Sequence, residues 1–312
     1  MPIIDLHCDT IYEIHYATKK QDLYKNNLQI DIQKMKESQV LAQMFALYID
    51  QEKMIEESLS PMEYTARLKE TFDLQMGLYH GHIKYAANYD DIIQNNRDNK
   101  ISALLSIEGG EALEGEIGNL AKVYDWGVRA LTLTWNHANE IGFPHTLTGG
   151  ITPFGKDITQ YANELGIILD VSHLSDQGFW DILSLSDSPI IASHSNARAI
   201  CNHTRNLSDE MIKGLAEKGG IIGANLYGLF VNKSGESTIF DIVRHINHLY
   251  QVGGIESIAL GSDFDGFEGG SQIAHAGQWE KLIHQLRKEK MPESNIDKIT
   301  YENTLRIIKD VL

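Results

Sequence analysis

Short apolar runs recur along the chain, and helical or loop sequence follows each one. Most runs are nearly continuous in Val, Ile, Leu and Ala, as is typical of strands buried on both faces of a parallel sheet. The predicted strands span residues 3–9, 41–49, 101–108, 128–135, 166–173, 189–195, 219–227 and 257–264. Eight such strands alternating with helices predict an α/β protein with a (β/α)8 barrel of the TIM type.

Helix-start signals lie between these runs. Ser60, Pro61 and Glu63 form a capping box with proline at the first helical position, which predicts a helix to about residue 79. Further helices are predicted over 152–165, over 176–185 after Ser175, after Ser208, over 237–251 and in at least two pieces over 275–312. Glycine and proline make most of 136–155 a long loop, and no clear strand is predicted between residues 50 and 100.

The chain shows no repeat, low-complexity tract or flexible linker, so we expect one domain over residues 1–312. A doubly wound open sheet is the alternative fold. That fold normally carries a glycine-rich phosphate-binding turn after its first strand, and no such turn follows residue 9. The barrel is therefore the simpler interpretation.

Composition narrows the class of protein. A hydrophobic fraction of 42% with 22% charged residues is ordinary for a globular chain, and a net charge of −16 disfavours nucleic acid and anionic membranes as partners. Cys8 and Cys201 are the two cysteines, and Cys8 is predicted to be buried behind the first strand, so we expect no disulfide. Without a secretion-signal pattern before Ile3 or a long apolar run, we expect a cytoplasmic protein.

Ionisable residues mark the first predicted strand. Asp5, His7 and Asp9 share one of its faces, since alternate side chains of a strand point the same way. Burying three such groups is costly unless they are paired or bound to a metal. A His-x-Asp pair at a strand end is thus a metal-ligand candidate. The alternative is a buried ion pair or a cap for the next helix.

Other predicted strands end in the same kind of residue. These residues are Glu108, His173, His194 and Asp263. Taken singly, Glu108 could cap the turn at Gly109, and Asp263 with Asp265 could form an Asx turn. Taken together with His7 and Asp9, they would meet at one end of a barrel, which favours a metal centre.

The donor types predict the metal chemistry. Three histidines and two carboxylates suit Zn²⁺, and also Mn²⁺ or Co²⁺. Five ligands are too many for one open catalytic zinc, but they suit two ions about 3.5–4 Å apart that share a carboxylate and a solvent molecule. A further carboxylate could shuttle a proton, so the pattern predicts a hydrolase. The enzymatic alternatives are a lactonase or a phosphoesterase, and the non-enzymatic one is a metal- or peptide-binding protein.

Six sequence blocks, in order along essentially the whole chain, resemble the membrane (renal) dipeptidase family, zinc peptidases of the amidohydrolase-like barrel class. They are DLHCD at 5–9, SIEGGEAL at 106–113, RALTLTWN at 129–136, DVSH at 170–173, SHSNARAICNHTRN at 193–206 and GSDFDG at 261–266. The resemblance implies dipeptide hydrolysis by a hydroxide that bridges two Zn²⁺ ions. It also implies a homodimer.

The resemblance assigns roles to individual residues. It implies that His7 and Asp9 bind one zinc, that His173 and His194 bind the other, and that Glu108 bridges both. Asp263 matches the family's proton-handling aspartate. Arg205 matches the arginine that pairs with the substrate's C-terminal carboxylate, although alone it would be interpreted as a solvated surface residue.

Two departures from the family pattern limit what carries over. In the better-known members, a histidine that polarises the substrate carbonyl directly follows the LTLT run, whereas this chain has Trp135 there and a histidine at His137. We expect His137 to take that substrate-binding role, and an exposed loop histidine is the alternative. Animal members also carry a secretion signal, disulfides and a lipid anchor, which this sequence does not show, so the resemblance implies a soluble bacterial-type member.

Overall fold

The computed structural model describes residues 1–19 and 21–312, and these residues build one parallel sheet. Its strands are β1 Ile3–Asp5, β2 Val40–Tyr48, β3 Ile83–Tyr85, β4 Ile101–Glu108, β5 Val128–Thr132, β6 Ile168–Asp170, β7 Ile191–Ser195, β8 Ile221–Ala224 and β9 Ile258–Leu260. The strand order is β2-β1-β9-β8-β7-β6-β5-β4-β3, and β2 also pairs with β4. That pairing closes eight strands into a barrel, which confirms the predicted fold.

Helices connect the strands. They are α1 Thr10–Tyr16, α2 Ile32–Glu37, α3 Gln51–Glu56, α4 Pro61–Leu78, α5 Tyr89–Arg97, α6 Gly118–Asp125, α7 Pro153–Leu165, α8 Asp176–Leu185, α9 Asp209–Glu217, α10 Gly228–Val231, α11 Ile239–Gly253, α12 Glu280–Lys288, α13 Glu293–Asp297 and α14 Asn303–Val311. Short 3-10 turns lie at Gly110–Leu113, Ile255–Ser257 and Ala276–Gln278, and a π-helical turn spans Lys298–Glu302.

The predicted helix starts are confirmed. Ser60 and Glu63 form both bonds of the capping box at the start of α4. The side chains of Thr152, Ser175 and Ser208 each accept a hydrogen bond from a backbone amide in the first turn of α7, α8 and α9. Each such cap stabilises its helix by about 1 kcal/mol, and its position could be read from the sequence because the motif is local.

Successive side chains of each strand point to opposite faces of the sheet, and this divides the core into two apolar clusters. Leu104 of β4 belongs to a cluster that fills the barrel, together with Ile307 and Ile308 of α14. Its neighbour Leu105 belongs to a larger cluster that includes Phe72 of α4, so this side of the strand faces the helices. Helix α14 closes the N-terminal end of the barrel. The opposite end, where the strands finish, stays open.

The strands end earlier than the apolar pattern predicts. Strand β1 stops at Asp5 rather than residue 9, and β6 stops at Asp170 rather than residue 173. Beyond the strands, His173, Asp263 and Asp265 take left-handed backbone angles, with φ of 68°, 64° and 66°. Such angles cost free energy in residues other than glycine and cluster at functional sites. At these three residues the chain leaves the direction of the preceding strand.

The interval between residues 50 and 100 holds a strand that the sequence did not reveal. Strand β3 has only three residues, Ile83–Tyr85, and pairs with the start of β4 outside the closed barrel. Its middle residue, Lys84, is exposed, so the segment lacks the continuous apolar run of the barrel strands.

Candidate metal centre

His7 and Asp9 lie at the open end of the barrel, between β1 and α1. Asp9 takes the N-cap position of α1, but its side chain makes no capping bond, so the helix-cap interpretation is wrong. Its Oδ2 lies 3.4 Å from Nε2 of His7. Its Oδ1 and the His7 Nε2 are both buried without a hydrogen-bond partner. Burial of unpartnered polar atoms is costly, so these two atoms fit the role of cation ligands.

Behind this pair, Asp5 is a buried structural acid. It accepts hydrogen bonds from the backbone amide of Ser262 at 2.8 Å and from its hydroxyl at 2.6 Å. This contact ties the end of β1 to the segment after β9. Cys8 is fully buried, and neither it nor Cys201 forms a disulfide, as predicted.

Glu108, at the end of β4, lies between His7 on one side and His173 and His194 on the other. Its Oε2 is 3.5 Å from Nε2 of His7, and its Oε1 is 3.1 Å from Nε2 of His173 and 3.4 Å from Nε2 of His194. Glu108 does not cap the following turn, because the amides of Gly109 and Gly110 donate to the backbone carbonyls of Thr132 and Leu133, at and just after the end of β5. Its two carboxylate oxygens therefore face different imidazoles.

The orientation of His194 is set by a relay of hydrogen bonds. Its Nδ1 donates to the hydroxyl of Ser193 at 2.7 Å, and that hydroxyl donates to Oδ2 of Asp170 at 2.6 Å. The Thr132 hydroxyl donates to the same carboxylate oxygen at 2.6 Å. A histidine held in this way presents an unprotonated Nε2, as metal-binding histidines do.

His173 is oriented by a different partner. Its Nδ1 donates to Oδ1 of Asn136 at 3.0 Å. Its Nε2 then lies 3.0 Å from Nε2 of His194. Since both Nδ1 atoms carry the proton, the lone pairs of the two Nε2 atoms face each other. The Glu108 carboxylate adds a third electron-rich atom at the same place. This arrangement is repulsive unless a cation lies among the three atoms.

Among the described residues, three groups of possible ligand atoms are close enough to hold an ion, with all atoms in a group within 4.8 Å of one another. They are His7–Asp9–Glu108, Glu108–His173–His194 and His7–His194–Asp263. The first two groups correspond to the predicted metal sites. The third includes Asp263, whose Oδ1 is 3.9 Å from Nε2 of His7.

Burial and mutual charge shift the pKa values of this cluster. Burial alone would lower the pKa of His7, but Glu108 and Asp9 raise it well above its ordinary value. Burial would raise the pKa of Glu108, but the surrounding imidazoles hold it well below its usual range. Burial, followed by the charge of Arg205, lowers the pKa of His173 to about 3. His173 is thus neutral at pH 7, as metal ligation requires.

Asp263 follows β9 and lines the same cavity. Its Oδ2 accepts a hydrogen bond from Nδ2 of Asn225 at 2.9 Å. Burial raises its pKa to about 7, and the charges of Asp9 and Glu108 add to the shift, whereas His7 opposes it. The alternative, an Asx turn formed by Asp263, is not present, because the Asp265 amide donates to Oε1 of Gln29 and the Gly266 amide donates to the backbone carbonyl of Asp263.

Arg205 is buried rather than solvated, with 3% of its surface exposed. Its Nη1 donates to the Ser195 hydroxyl at 3.3 Å and its Nη2 to the His194 carbonyl at 3.2 Å, while Nε has no acceptor. The guanidinium carbon lies 5.2 Å from the ring centre of Phe230. A buried guanidinium with a free N–H is suited to bind an anion.

The cavity over the cluster has a volume of about 440 Å³ and aromatic walls. Trp135 and Asn136 line it, but His137 does not. His137 is exposed, with its ring 5.6 Å from that of Trp135. The predicted contact of His137 with substrate therefore remains a prediction.

His145 is a residue that sequence reasoning missed. Its Nε2 lies 3.2 Å from Oδ1 of Asn136, and its ring centre lies 6.2 Å from that of His173. It comes from the predicted loop at 136–155, where no periodic pattern points to a site. Only the path of that loop brings it beside the cluster.

A closed parallel barrel whose strand ends hold histidines and carboxylates in overlapping groups of three, each close enough to bind an ion, is a metal-dependent hydrolase scaffold. Residues 1–312 match the model of the membrane dipeptidase family, peptidase family M19. The chain belongs to this family and is a metal-dependent dipeptidase. The resemblance found in its six sequence blocks is thereby confirmed.

Two relatives are similar to this chain in sequence over most of its length. An uncharacterised dipeptidase of Schizosaccharomyces pombe is 30% identical over 331 residues, covering 98% of this chain and 80% of its own. An uncharacterised protein in the pqqA 5′ region of Klebsiella pneumoniae is 33% identical over 243 residues, covering 74% of this chain and 90% of its own.

Solved structures share the fold. A metallo peptidase from Rhodobacter sphaeroides, bound to a phosphinate mimic of the dipeptide L-Ala-D-Ala, superposes with a TM-score of 0.92 at 23% identity, covering 100% of this chain and 99% of its own. A probable dipeptidase from Pseudomonas aeruginosa gives 0.90 at 17% identity, covering 100% and 95%. In the described part of this chain, no helix has the length and apolar character needed to cross a membrane.

Proposed function

We propose that this dipeptidase uses a binuclear Zn²⁺ centre. His7 and Asp9 would hold one ion, His173 and His194 the other, and Glu108 both. The observation that carries the proposal is the 3.0 Å separation of the His173 and His194 Nε2 atoms, whose tautomers leave no proton between them. When bound, the ions act as Lewis acids and lower the pKa of coordinated water.

Arg205 and Asp263 would perform the remaining tasks. Arg205 would bind the C-terminal carboxylate of the dipeptide through its unpartnered Nε and hold it near Phe230. Asp263 would accept a proton from the attacking water and deliver it to the leaving amine. A carboxyl group with its pKa raised to about 7 is suited to both transfers at neutral pH.

The metal content of the purified protein tests this proposal. After reconstitution with Zn²⁺, we expect about two ions per chain and hydrolysis of simple dipeptides. His194→Ala should lose one ion, because it removes one ligand of a three-ligand site. His284→Ala, at an exposed position of α12, is the matched control and should keep both. Clearly fewer than two ions in the reconstituted wild type would contradict the proposal.

We also propose that residues 1–312 form one domain, that the protein is cytoplasmic, and that it is a homodimer. The free, buried Cys8 and Cys201 support a reducing compartment. The closed sheet, to which strands from residue 3 to residue 260 contribute, supports one domain. Light scattering of the purified protein tests the dimer, and a monomeric mass would reject it.

A further inference from the structure

His173 and Arg205 lie on different segments of the chain. His173, a proposed metal ligand, follows β6, and Arg205 lies in the loop between β7 and α9. A dipeptide held by the ions and by Arg205 spans the separation of these two segments, so a residue that fixes this separation affects which substrates fit. His145 contacts both segments.

Backbone pairing holds His145 beside His173. The amide of His145 donates to the His173 carbonyl at 2.7 Å, and the amide of Ser175 donates to the Phe143 carbonyl at 2.9 Å. An antiparallel bridge lies between these two bonds. The position of His145 is therefore set by the segment that carries the proposed metal ligand.

The side chain of His145 shares an acceptor with His173. Oδ1 of Asn136 accepts a hydrogen bond from Nδ1 of His173 at 3.0 Å and from Nε2 of His145 at 3.2 Å. An amide oxygen can only accept, so the second bond places the ring proton of His145 on Nε2. His145 thus helps to hold Asn136 against His173.

The other ring nitrogen of His145 faces the loop of Arg205. Nδ1 lies 2.7 Å from the Thr204 hydroxyl, and it accepts that bond because Nε2 of the neutral ring carries the proton. Thr204 directly precedes Arg205. The ring centre of His203 lies 5.9 Å from that of His145, and its Nδ1 accepts a bond from the Arg205 amide at 3.1 Å. His145 therefore contacts the two residues before Arg205.

Arg198 holds the backbone of the same loop. Its Nε donates to the Asn206 carbonyl at 2.8 Å and its Nη2 to the Thr204 carbonyl at 3.2 Å. Its guanidinium also forms a bidentate pair with Asp176, with both bonds at 2.7 Å. The loop is thus fixed on both sides of Arg205, and the Thr204 hydroxyl connects it to the segment after β6.

We propose that His145 is a positioning residue that sets the separation between the metal centre and the guanidinium of Arg205. It acts through Asn136 on one side and through Thr204 on the other. A fixed separation makes the site accept an α-dipeptide and reject a peptide whose C-terminal residue is one methylene longer. This inference rests on the proposed function, since it takes the roles of Arg205 and of the ions from it.

The length of the substrate's second residue measures this separation. Alanyl-β-alanine differs from alanyl-alanine by one extra methylene between the scissile bond and the carboxylate. Wild type should prefer alanyl-alanine by roughly 10- to 100-fold in kcat/KM, because a fixed guanidinium cannot follow the displaced carboxylate. We call this preference the length ratio.

The exposed Thr204 tests the connection to the loop. Thr204→Val removes the hydroxyl and keeps the shape of the side chain. The length ratio should fall roughly two- to tenfold, as for loss of one hydrogen bond, whereas Thr204→Ser keeps the hydroxyl and should keep the wild-type ratio.

His145→Ala tests both connections, because it removes the bonds to Asn136 and Thr204. The length ratio should fall at least as far as in Thr204→Val. A chelator should also remove Zn²⁺ more easily, by up to about tenfold, since Asn136 loses one of the partners that hold it against the proposed ligand. His284→Ala, at an exposed position of α12, is the control and should change neither measurement.

The outcomes separate this inference from the proposed function. A wild-type length ratio near one, or a ratio that Thr204→Val or His145→Ala leaves intact, overturns the inference. Equal loss of kcat/KM for both peptides also overturns it, because His145 would then support only the ions or the fold. Calorimetric binding of both peptides to Asp263→Asn, with and without Thr204→Val, gives the ratio without turnover. If metal-loaded wild type hydrolyses neither peptide, the proposed function fails, and the calorimetric comparison still decides the role of His145.

Discussion

The two ends of the barrel bury polar side chains that serve different purposes. At the closed end, Asn303 of α14 is buried and donates both amide hydrogens, to the Ile255 carbonyl at 2.7 Å and the Ile258 carbonyl at 2.8 Å. At the open end, polar atoms of His7, Asp9 and Arg205 are buried without partners. The Asn303 amide is thus satisfied by the chain itself, whereas the unpartnered atoms of the open end belong to the residues proposed to hold the metal ions and the substrate.

This difference separates stability from function. The open end carries unpartnered atoms and left-handed backbone at His173 and Asp263, both of which cost free energy in the absence of ligands. Substitutions there should change turnover or binding and need not weaken the fold. Substitutions at the closed end should lower the free energy of unfolding without changing the rate of hydrolysis.

Asp263→Asn should give the largest effect on activity. We expect kcat to fall by about 10²–10⁴-fold, the usual contribution of a proton-transferring group, because an amide cannot exchange the proton. Asparagine also tolerates the left-handed φ of 64° at this position. Measurement of kcat together with zinc content checks the role. Unchanged turnover would remove Asp263 from the mechanism, and loss of zinc would instead make it a ligand.

The same variant offers a stability test. Because the pKa of Asp263 is raised to about 7 in the folded protein, ionisation of Asp263 destabilises the fold increasingly as pH rises from about 4 to about 7. The metal-free Asp263→Asn protein should therefore have a higher melting temperature than metal-free wild type at pH 8. Near pH 4 this advantage should disappear.

Arg205→Lys should have the next largest effect. A lysine keeps the positive charge but cannot offer the planar pair of N–H donors, so kcat/KM should fall roughly 10- to 150-fold, as for loss of a hydrogen bond to a charged group worth about 1.5–3 kcal/mol. Dipeptides with an amidated C-terminus provide the control. They should be poor substrates for wild type and variant alike, and an equal loss for amides and acids would contradict carboxylate binding.

Asn303→Ala should have the smallest effect on activity and a clear effect on stability. The change leaves the carbonyls of Ile255 and Ile258 without these donors, so the free energy of unfolding should fall by about 1–3 kcal/mol. Urea denaturation measures this loss. The kcat of the folded protein at 20–25 °C should stay near the wild-type value, and a large fall would show that the closed end also shapes the site.

Much of the candidate site could be predicted because each ligand ends an apolar run. A parallel barrel brings all strand ends to one rim, so Glu108, His173 and His194 could be grouped without knowledge of any distance. The caps at Ser60, Ser175 and Ser208 were equally readable, since a cap depends on three or four consecutive residues. Hydrogen-bonded strand lengths were overestimated, because the residues that bind must bend out of the sheet.

The apolar periodicity, the local caps and the residue types at the strand ends were thus determined by the sequence alone. Tertiary structure decided which imidazole nitrogen is left free for a metal, because that depends on Asn136, which bonds His173, and on Asp170, which orients His194 through Ser193. It also decided that Arg205 is buried while His137 is exposed. These outcomes depend on the paths of irregular loops, and such paths are set by long-range packing rather than by any local pattern.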